Sequence, residues 1–200
     1  MAGIYLVRHG ETQWNQQKRY QGQRDIPLNN VGFGQAERAA ERLATSGASF
    51  VVSSDLSRAL HTAVIIGDRL GLTVVTSTLW RERAYGGWEG LTRAEIQDLY
   101  PEEWRKMHAN PHASGPRGGE TLAELRSRAI LALQWVLAKY PVQTGVVVTH
   151  GGLMRVLLAW IAGEEKPEFH LDNGGISLIA NTNADLSVIS INDTSHLIGI

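Results

Sequence analysis

A short apolar run that ends in charged residues decides the fold: Ile4-Tyr5-Leu6-Val7-Arg8-His9-Gly10-Glu11-Thr12. Its first four residues favour a β-strand, and their unbroken apolar character is typical of a strand buried on both faces. A second apolar run, Val146-Val147-Val148, ends in a similar way, in Thr149-His150-Gly151-Gly152. Ligand sites in open α/β sheets form outside the carboxyl ends of the strands. If the two strands are neighbours, they deliver two histidines into one crevice.

Helical and strand-like segments alternate over most of the chain, which favours a layered α/β architecture. We predict further strands at 50–52 and 74–75, a terminal hairpin at 176–180 and 186–191, and helices at 35–43, 56–70, 92–108 (broken at Pro101), 122–137 and 153–161. Thr121 and Glu124 match a capping box, and Gly71 is a plausible helix stop. The predicted fold is a three-layer α/β/α sandwich with a mostly parallel central sheet, a small helical cap insertion at about 92–119 and a C-terminal antiparallel hairpin.

Composition limits the classes of function. The 200 residues are 43% hydrophobic, and a chain of this size can bury roughly 70% of its unfolded surface in one domain. The net charge of −1 gives no long-range attraction to nucleic acid or to an anionic membrane. Cysteine is absent, which excludes a cysteine nucleophile, a thiolate zinc site and disulfides. No apolar run reaches the ~18 residues of a membrane span, and no signal peptide is recognisable, so we expect a cytoplasmic protein.

Arg8, His9 and Gly10 suit the binding of a phosphomonoester. Arginine offers a fork of donors that stays charged, a neutral imidazole can attack phosphorus in line, and glycine permits a close backbone approach. Three residues alone are weak support, and an ion-paired arginine beside a hydrogen-bonded histidine is an equal alternative. Arg58 lies in the first turn of a predicted helix, where its charge opposes the helix dipole. A bound phosphate would resolve that conflict; the alternative is an ion pair with Asp55.

Two further segments carry candidate residues. His150 is followed by Gly151 and Gly152, whose amides could face an oxyanion; the alternative is a hydrogen-bonded histidine at a tight turn. Glu82 lies in the loop Trp80-Arg81-Glu82-Arg83-Ala84-Tyr85-Gly86-Gly87-Trp88-Glu89-Gly90. A carboxyl group beside a phosphate dianion favours its protonated form, which suits a proton donor to a leaving alkoxide. For a lone glutamate in a loop, simple exposure to solvent is the alternative.

The four segments, in this order and at these separations, resemble the histidine phosphatase superfamily, whose fold is that of the phosphoglycerate mutases. The likeness covers nearly the whole chain. It implies that His9 is the phosphorylated nucleophile, that Glu82 is the proton donor, and that Arg8, Arg58 and His150 hold the phosphoryl oxygens. It further implies phosphate or substrate contacts by Asn15, Gln21, Gly22 and Gly151.

The resemblance implies a metal-independent phosphatase acting on small phosphomonoesters, without a cofactor. The alternative is a cofactor-dependent phosphoglycerate mutase, which shares Glu82-Arg83-x-Tyr85-Gly86-Gly87. The segment 91–120 is shorter than the mutase insertion and lacks its paired arginines, so we favour the phosphatase. A non-catalytic phospholigand-binding protein is a third reading, although it would not need the intact set of residues.

The sequence does not fix the substrate, the oligomeric state or any residual mutase activity. We expect a small phosphorylated metabolite as the partner, neither nucleic acid nor membrane, and a homodimer is compatible with the sequence. His108 and His112 flank the irregular loop at 110–119, where they could reach substrate or lie in solvent.

Overall fold

The protein is described here by a computed structural model that covers residues 2–164, 169–182 and 185–199. The strands are β1 (Ala2–Arg8), β2 (Val51–Ser53), β3 (Val74–Thr76), β4 (Gly145–Thr149), β5 (Ile176–Thr182) and β6 (Asp185–Asp193). The helices are α1 (Gln13–Gln16), α2 (Asn30–Leu43), α3 (Ser57–Leu70), α4 (Arg93–Leu99), α5 (Pro101–Ala109), α6 (Leu122–Lys139) and α7 (Gly151–Ala162). Short 3₁₀ turns lie at 78–80, 86–88 and 195–197.

The strands form one six-stranded sheet in the order β3-β2-β4-β1-β5-β6. The pairs β2–β3, β2–β4 and β1–β4 are parallel, whereas β5 pairs with both β1 and β6 in the antiparallel sense. The predicted mostly parallel sheet and C-terminal hairpin are therefore confirmed. In the β1–β4 pair Arg8 lies opposite Thr149, so His9 and His150 leave the same edge of the sheet side by side.

Helices cover both faces of the sheet, because successive strand residues point to opposite sides. Leu6 and Val147 face a core built mainly with α6 and α7, and Val7 and Val148 face one built with α2 and α3. These strand side chains are fully buried, and each contributes about 1.5–3 kcal/mol of hydrophobic stabilisation. The unbroken apolar runs in the sequence are thus explained by a three-layer α/β/α sandwich, as predicted.

Helix boundaries follow local sequence signals. The Thr121 side chain accepts a hydrogen bond from the Glu124 amide while the Glu124 side chain accepts one from the Thr121 amide, which confirms the capping box at the start of α6. Gly71 ends α3 in the left-handed conformation. Pro101 is the first residue of α5 and separates that helix from α4, as predicted. The helix after β4 begins at Gly151 instead of after the glycine pair.

Helices α4 and α5 form a separate small core together with the preceding 3₁₀ turn. Trp88, Ile96 and Met107 are buried together there, and Trp104 packs against Trp88 with ring centroids 5.7 Å apart. The loop that follows α5 has no regular structure up to Thr121. A cap at about 92–119 remains a prediction, as does the single-domain boundary at 1–200.

The loop after β1 is clamped against the start of α2. Asn29 caps this helix by accepting a hydrogen bond from the Gly32 amide at 2.8 Å, and its Nδ2 donates to Glu11 Oε1 at 2.7 Å. Gly32 and the loop are in such close contact that a Cβ added at Gly32 would lie 2.1 Å from the Glu11 carbonyl oxygen. A Cβ at Gly10 would likewise lie 2.2 Å from the Gly32 carbonyl oxygen. Both glycines are required by backbone contact.

We predict that Gly32→Ala lowers the free energy of unfolding by about 1–3 kcal/mol, because the methyl group must displace the backbone of Glu11. Glu37→Ala is the matched control, since Glu37 is exposed in the same helix. There the replacement should change the free energy of unfolding by less than about 0.5 kcal/mol. Urea denaturation of both variants measures the difference, and equal effects of one sign would contradict the proposed backbone clamp.

Candidate active site

The ends of β1 and β4 place two histidines side by side. The His9 amide donates to the Thr149 carbonyl at 3.0 Å, which joins the two strand ends. The imidazole rings lie with their centroids 5.0 Å apart at an interplanar angle of 61°. His9 is 2% exposed and His150 is 0% exposed. The convergence expected from the two strand-end motifs is therefore present.

The orientation of His9 fixes its tautomer. Its Nδ1 lies 2.7 Å from the carbonyl oxygen of Gly10, and a carbonyl can only accept, so Nδ1 carries the hydrogen. Nε2 then holds the free lone pair. Burial, followed by the charges of Arg58 and Arg8, lowers the pKa of His9 well below its ordinary value. His9 is thus a neutral imidazole, and Nε2 is the ring nitrogen whose lone pair could attack a ligand.

Arg8 is held at one side of the two histidines. Its Nη1 donates to the Leu171 carbonyl at 2.5 Å, while its buried Nε has no hydrogen-bond partner among the described residues. Burial is the largest effect and lowers the pKa of Arg8, and the charge of Glu82 acts against it. A guanidinium with an unused donor in a buried position can bind an anion.

Arg58 is almost completely buried in the first turn of α3, with 1% of its surface exposed. Its Nη1 and Nη2 donate to the carbonyls of Arg24 and Gly22 at 2.7 and 2.8 Å, and its Nε has no partner in the described part of the chain. Burial lowers its pKa to about 10. The alternative ion pair with Asp55 is not formed, because Asp55 binds Arg81 through both carboxylate oxygens.

His150 is the least satisfied polar side chain at this edge. Both of its ring nitrogens are buried, and neither has a partner within the described ranges. Burial first, then the positive charge of Arg58, lowers its pKa well below the ordinary value. Buried polar groups are normally hydrogen-bonded, so the alternative of a histidine satisfied at a tight turn does not hold. The unused polar atoms of His150, Arg8 and Arg58 together suit a bound anion.

Glu82 lies in the loop between the first two 3₁₀ turns, contacts the start of α7 and is half-buried. Its Oε2 accepts from the Gly152 amide at 3.0 Å, and its Oε1 accepts from the amides of Leu153 and Arg83 at 3.2 and 2.8 Å. The simple exposed loop position is therefore excluded. Because Oε2 accepts only one of these bonds, it keeps a lone pair that can carry a proton.

The glycine pair after His150 makes room for two functional side chains. A Cβ at Gly151 would lie 3.3 Å from Arg8 Nε, and one at Gly152 would lie 2.4 Å from Glu82 Oε1. The expectation that both amides face an oxyanion needs correction, since Gly152 donates to Glu82. The Gly151 amide is not used by Glu82 and lies at the helix N-terminus, where donors lack partners within the helix.

Asn15 belongs to the hydrogen-bonded turn after the nucleophile loop. Its Oδ1 accepts from the amide and the hydroxyl of Thr12 at 3.1 and 3.0 Å and from Asn173 Nδ2 at 3.3 Å. This oxygen is therefore occupied, and a ligand can only meet the Nδ2 donors. Asn173 also donates to the His9 carbonyl at 3.0 Å, so it ties the segment before β5 to the loop after β1. No motif in the sequence indicates this role.

Gln21 and Gly22 lie beside Arg58. Gly22 adopts a positive φ of 53° and supplies one of the carbonyls that bind Arg58. Gln21 is 8% exposed, and its Oε1 has no partner in the described residues. Glu89 joins this loop to the segment after Glu82, because its Oε1 accepts from the Gln23 amide at 2.9 Å and the Tyr85 amide at 3.1 Å. Whether these residues touch substrate remains a prediction.

His108 and His112 lie apart from the buried histidine pair. His108 is exposed and packs on Trp104 with ring centroids 3.9 Å apart, and its Nδ1 contacts the Trp104 carbonyl at 2.8 Å. His112 is exposed, and together with Trp160 it lines a small apolar cavity. Neither observation assigns them a role in substrate binding.

The described residues contain neither a cluster of metal ligands nor a membrane-spanning helix. Within 2–164, 169–182 and 185–199 no three histidine, aspartate or glutamate side chains are grouped in a way that could hold a metal ion. No helix in those ranges has both the length and the apolar character needed to cross a membrane.

Two curated proteins that resemble the chain in sequence carry names of the phosphoglycerate mutase type. The chain is 38% identical over 200 residues to phosphoglycerate mutase-like protein 4 of Arabidopsis thaliana, covering 98% of this chain and 87% of that protein. It is 41% identical over 167 residues to the probable phosphoglycerate mutase GpmB of Yersinia pestis, covering 82% and 76%.

Solved structures of phosphatases are also similar. A mycobacterial glucosyl-3-phosphoglycerate phosphatase with bound VO3 superposes with a TM-score of 0.85 at 30% identity, over 96% of this chain and 99% of that one. A histidine-to-alanine mutant of the Entamoeba histolytica phosphoserine phosphatase, in complex with phosphoserine, gives a TM-score of 0.89 at 27% identity, over 99% and 100%.

The family model of the histidine phosphatase superfamily, branch 1, matches residues 4–194. This match includes both histidine segments, the Arg58 helix and the Glu82 loop. Together with the phosphatase structures, it confirms the expectation of a phosphatase enzyme, and the names of the curated relatives fit the mutase alternative. The chain belongs to the histidine phosphatase superfamily.

Proposed function

We propose that the protein is a metal-independent phosphatase that hydrolyses small phosphomonoesters through a phosphohistidine on His9. The observation that carries this proposal is the pairing of a neutral His9, its Nε2 free, with buried polar atoms of Arg8, Arg58 and His150 that have no partner among the described residues. These atoms offer charge and hydrogen bonds to an anion, and the imidazole offers a nucleophile. Phosphoryl transfer needs mainly these two things, positioning and electrostatic stabilisation.

In the first step the lone pair of His9 Nε2 forms a bond to phosphorus while the bond from phosphorus to the ester oxygen breaks. A proton on Glu82 passes to that oxygen, which leaves as an alcohol. The hydrogen bond from Nδ1 to the Gly10 carbonyl supports the positive charge that develops on the ring. The products of this half-reaction are the phosphohistidine and the ionised Glu82.

In the second step water attacks the phosphohistidine. The Glu82 carboxylate takes a proton from this water, an oxygen–phosphorus bond forms, and the bond from phosphorus to Nε2 breaks with its electrons returning to the imidazole. Inorganic phosphate leaves and both residues regain their starting states. The covalent route replaces one difficult displacement by two easier ones.

Charge on the transferred group is offset by the chain's own residues. Arg8 and Arg58 contribute permanent positive charge, and the neighbouring phosphoryl oxygens would favour protonation of His150. These groups supply the stabilisation that a metal ion provides in other phosphoryl-transfer enzymes.

The substrate is proposed by class only: a small phosphorylated metabolite. The named ligands of the structural neighbours, such as phosphoserine and 3-phosphoglyceric acid for the Entamoeba histolytica phosphatase, belong to this class. A cytoplasmic location and a homodimer remain predictions from the sequence.

A cofactor-dependent phosphoglycerate mutase is the second candidate, favoured by the printed names of the curated relatives. It would share the first step and return the phosphoryl group to the bound intermediate instead of to water. A non-catalytic binding protein is disfavoured, because its site would not require the free Nε2 of His9.

We expect His9→Ala to lower phosphate release by about three orders of magnitude or more, because the variant lacks the side chain proposed to form the covalent intermediate. A phosphate-release assay over a panel of monoesters measures this loss. An alkaline quench with ³²P-labelled substrate should trap label on the wild type and none on the variant. Arg42→Gln, which removes an exposed arginine paired with Asp193, serves as the control with unchanged turnover.

Equal phosphate release by wild type and His9→Ala would reject the nucleophile. Conversion of 3- to 2-phosphoglycerate that is faster than hydrolysis would instead establish the mutase, with the His9 intermediate retained.

Loss of the Glu82 proton should depend on the leaving group. We predict that Glu82→Gln slows hydrolysis of alkyl phosphates by about 10²–10⁴-fold, the usual contribution of general acid catalysis. An activated ester such as p-nitrophenyl phosphate should lose much less, because its leaving group needs no proton. The ratio of kcat on the two esters is the measurement, and an equal loss on both would contradict proton donation by Glu82.

The two buried histidines should resist protonation. An ordinary histidine titrates near pH 6.5, whereas we expect the rings of His9 and His150 to remain neutral at pH 6, since burial and the arginines lower the pKa of each. Because the unfolded chain binds protons first, their contribution to stability is complete above about pH 6.5 and falls as the pH drops below it. Ring ¹⁵N NMR, assigned with single variants, tests this, and titration of both near 6.5 would refute it.

A further inference from the structure

We propose that Arg128 and Glu120 act as a positioning pair that holds the backbone around Glu82, so that the carboxyl group meets the leaving oxygen. This inference rests on the proposed role of Glu82. Arg128 lies on α6, and Glu120 comes just before that helix. Neither residue lies among the groups that surround the two histidines.

Every N–H donor of Arg128 is used. Its Nε and Nη2 bind the two carboxylate oxygens of Glu120 at 2.8 and 2.7 Å. The remaining donors go to the backbone: Nη1 binds the carbonyls of Leu79 and Arg81 at 2.9 and 2.7 Å, and Nη2 binds the carbonyl of Glu82 at 3.0 Å. Since a guanidinium has five donors, Arg128 is saturated by one carboxylate and three backbone carbonyls of the segment 79–82.

Glu120 holds the other side of Glu82. Its Oε2 accepts from the Ala84 amide at 2.8 Å, and its own amide donates to the Ala84 carbonyl at 2.9 Å. Its carbonyl accepts from Arg83 Nε at 2.9 Å. The backbone is therefore bound before Glu82, at Glu82 and two residues after it.

This segment needs such support because it has no regular structure. Residues 81–85 lie between two 3₁₀ turns and belong to no strand or helix, yet their polar groups are partly removed from water and require partners. The Arg128 and Glu120 side chains are only 17% and 20% exposed. Their ion pair is thus shielded more than a surface pair, whose contribution is commonly small.

The consequence for catalysis is geometric. The Glu82 carboxylate is aimed by bonds to the start of α7, while the backbone around it is fixed by Arg128 on α6 and by Glu120 just before that helix. A proton donor displaced by about 1 Å can cost roughly 100-fold in rate. The pair therefore controls proton donation without touching the substrate.

A purely electrostatic role of Arg128 is the competing explanation. Burial is the main cause of the lowered pKa of His150, and the charge of Arg128 is the smallest of the causes. A lysine would retain this charge but could not reproduce the bidentate pair together with three carbonyl bonds. Arg128→Lys therefore separates charge from geometry.

The experiment measures kcat and KM for an alkyl phosphate and for p-nitrophenyl phosphate, in Arg128→Lys and in Arg128→Lys combined with Glu82→Gln. We expect Arg128→Lys to lower kcat on the alkyl ester by about 10- to 100-fold with KM changed less than about threefold. The aryl ester should lose little. In the Glu82→Gln background the lysine should cause no further loss, because the group that it misplaces has already been removed.

Glu120→Gln is the second variant if Arg128→Lys does not fold, since it keeps the shape of the side chain and weakens the same bonds. Arg42→Gln, which breaks the exposed pair with Asp193, is the control and should match the wild type. Losses that multiply in the double variant, or full activity of Arg128→Lys, would overturn the positioning role. If Glu82→Gln alone shows no dependence on the leaving group, the proposed role of Glu82 as proton donor fails, whatever the Arg128 variants do.

Discussion

The structure is organised around positive and protonatable groups buried together at the carboxyl edge of the sheet. Arg8 and Arg58 lie close to His9 and His150, and burial lowers the pKa of all four. Burial of unpaired charge is costly, so such groups need partners or lose their protons. Here the histidines are neutral, and the arginines are partnered mainly by carbonyl oxygens. The Nε atoms of both arginines and both ring nitrogens of His150 have no partner among the described residues, and we propose that a phosphoryl group binds them.

This constraint explains the course of several loops. The chain after α1 turns back so that the carbonyls of Gly22 and Arg24 reach Arg58. The segment before β5 does the same for Arg8 through Leu171. Carbonyls lower the cost of burying a guanidinium without cancelling its charge, as a carboxylate would. The positive potential is therefore retained for an anion, and Asp55, the acid that the sequence offered as a partner for Arg58, is occupied by Arg81.

The sequence predicted the fold and the convergence of the histidines because both depend on local patterns. Apolar runs mark β1 and β4, and two buried parallel strands that end in histidine meet at one edge. The partners of Arg58 could not be predicted, since backbone carbonyls are present at every residue and only the loop path selects two of them. The bonds of Arg128 and Asn173 were missed for the same reason. They join residues far apart in sequence, and neither residue lies in a recognisable motif.

The side chains of the site are held in position in two different ways. His9, the proposed nucleophile, follows directly after a regular strand, and its free nitrogen follows from one bond to the next residue's carbonyl. Glu82, the proposed proton donor, lies in an irregular loop and is supported by three parts of the chain: the start of α7 binds its carboxylate, Arg128 on α6 binds its carbonyl, and Glu120, just before α6, binds the Ala84 amide. Groups placed by a sheet need little further fixing, whereas groups placed by a loop depend on side chains that satisfy its backbone. If His9 is the nucleophile, as proposed, a change of substrate can therefore proceed in the neighbouring loops while the histidine at the strand end stays constant.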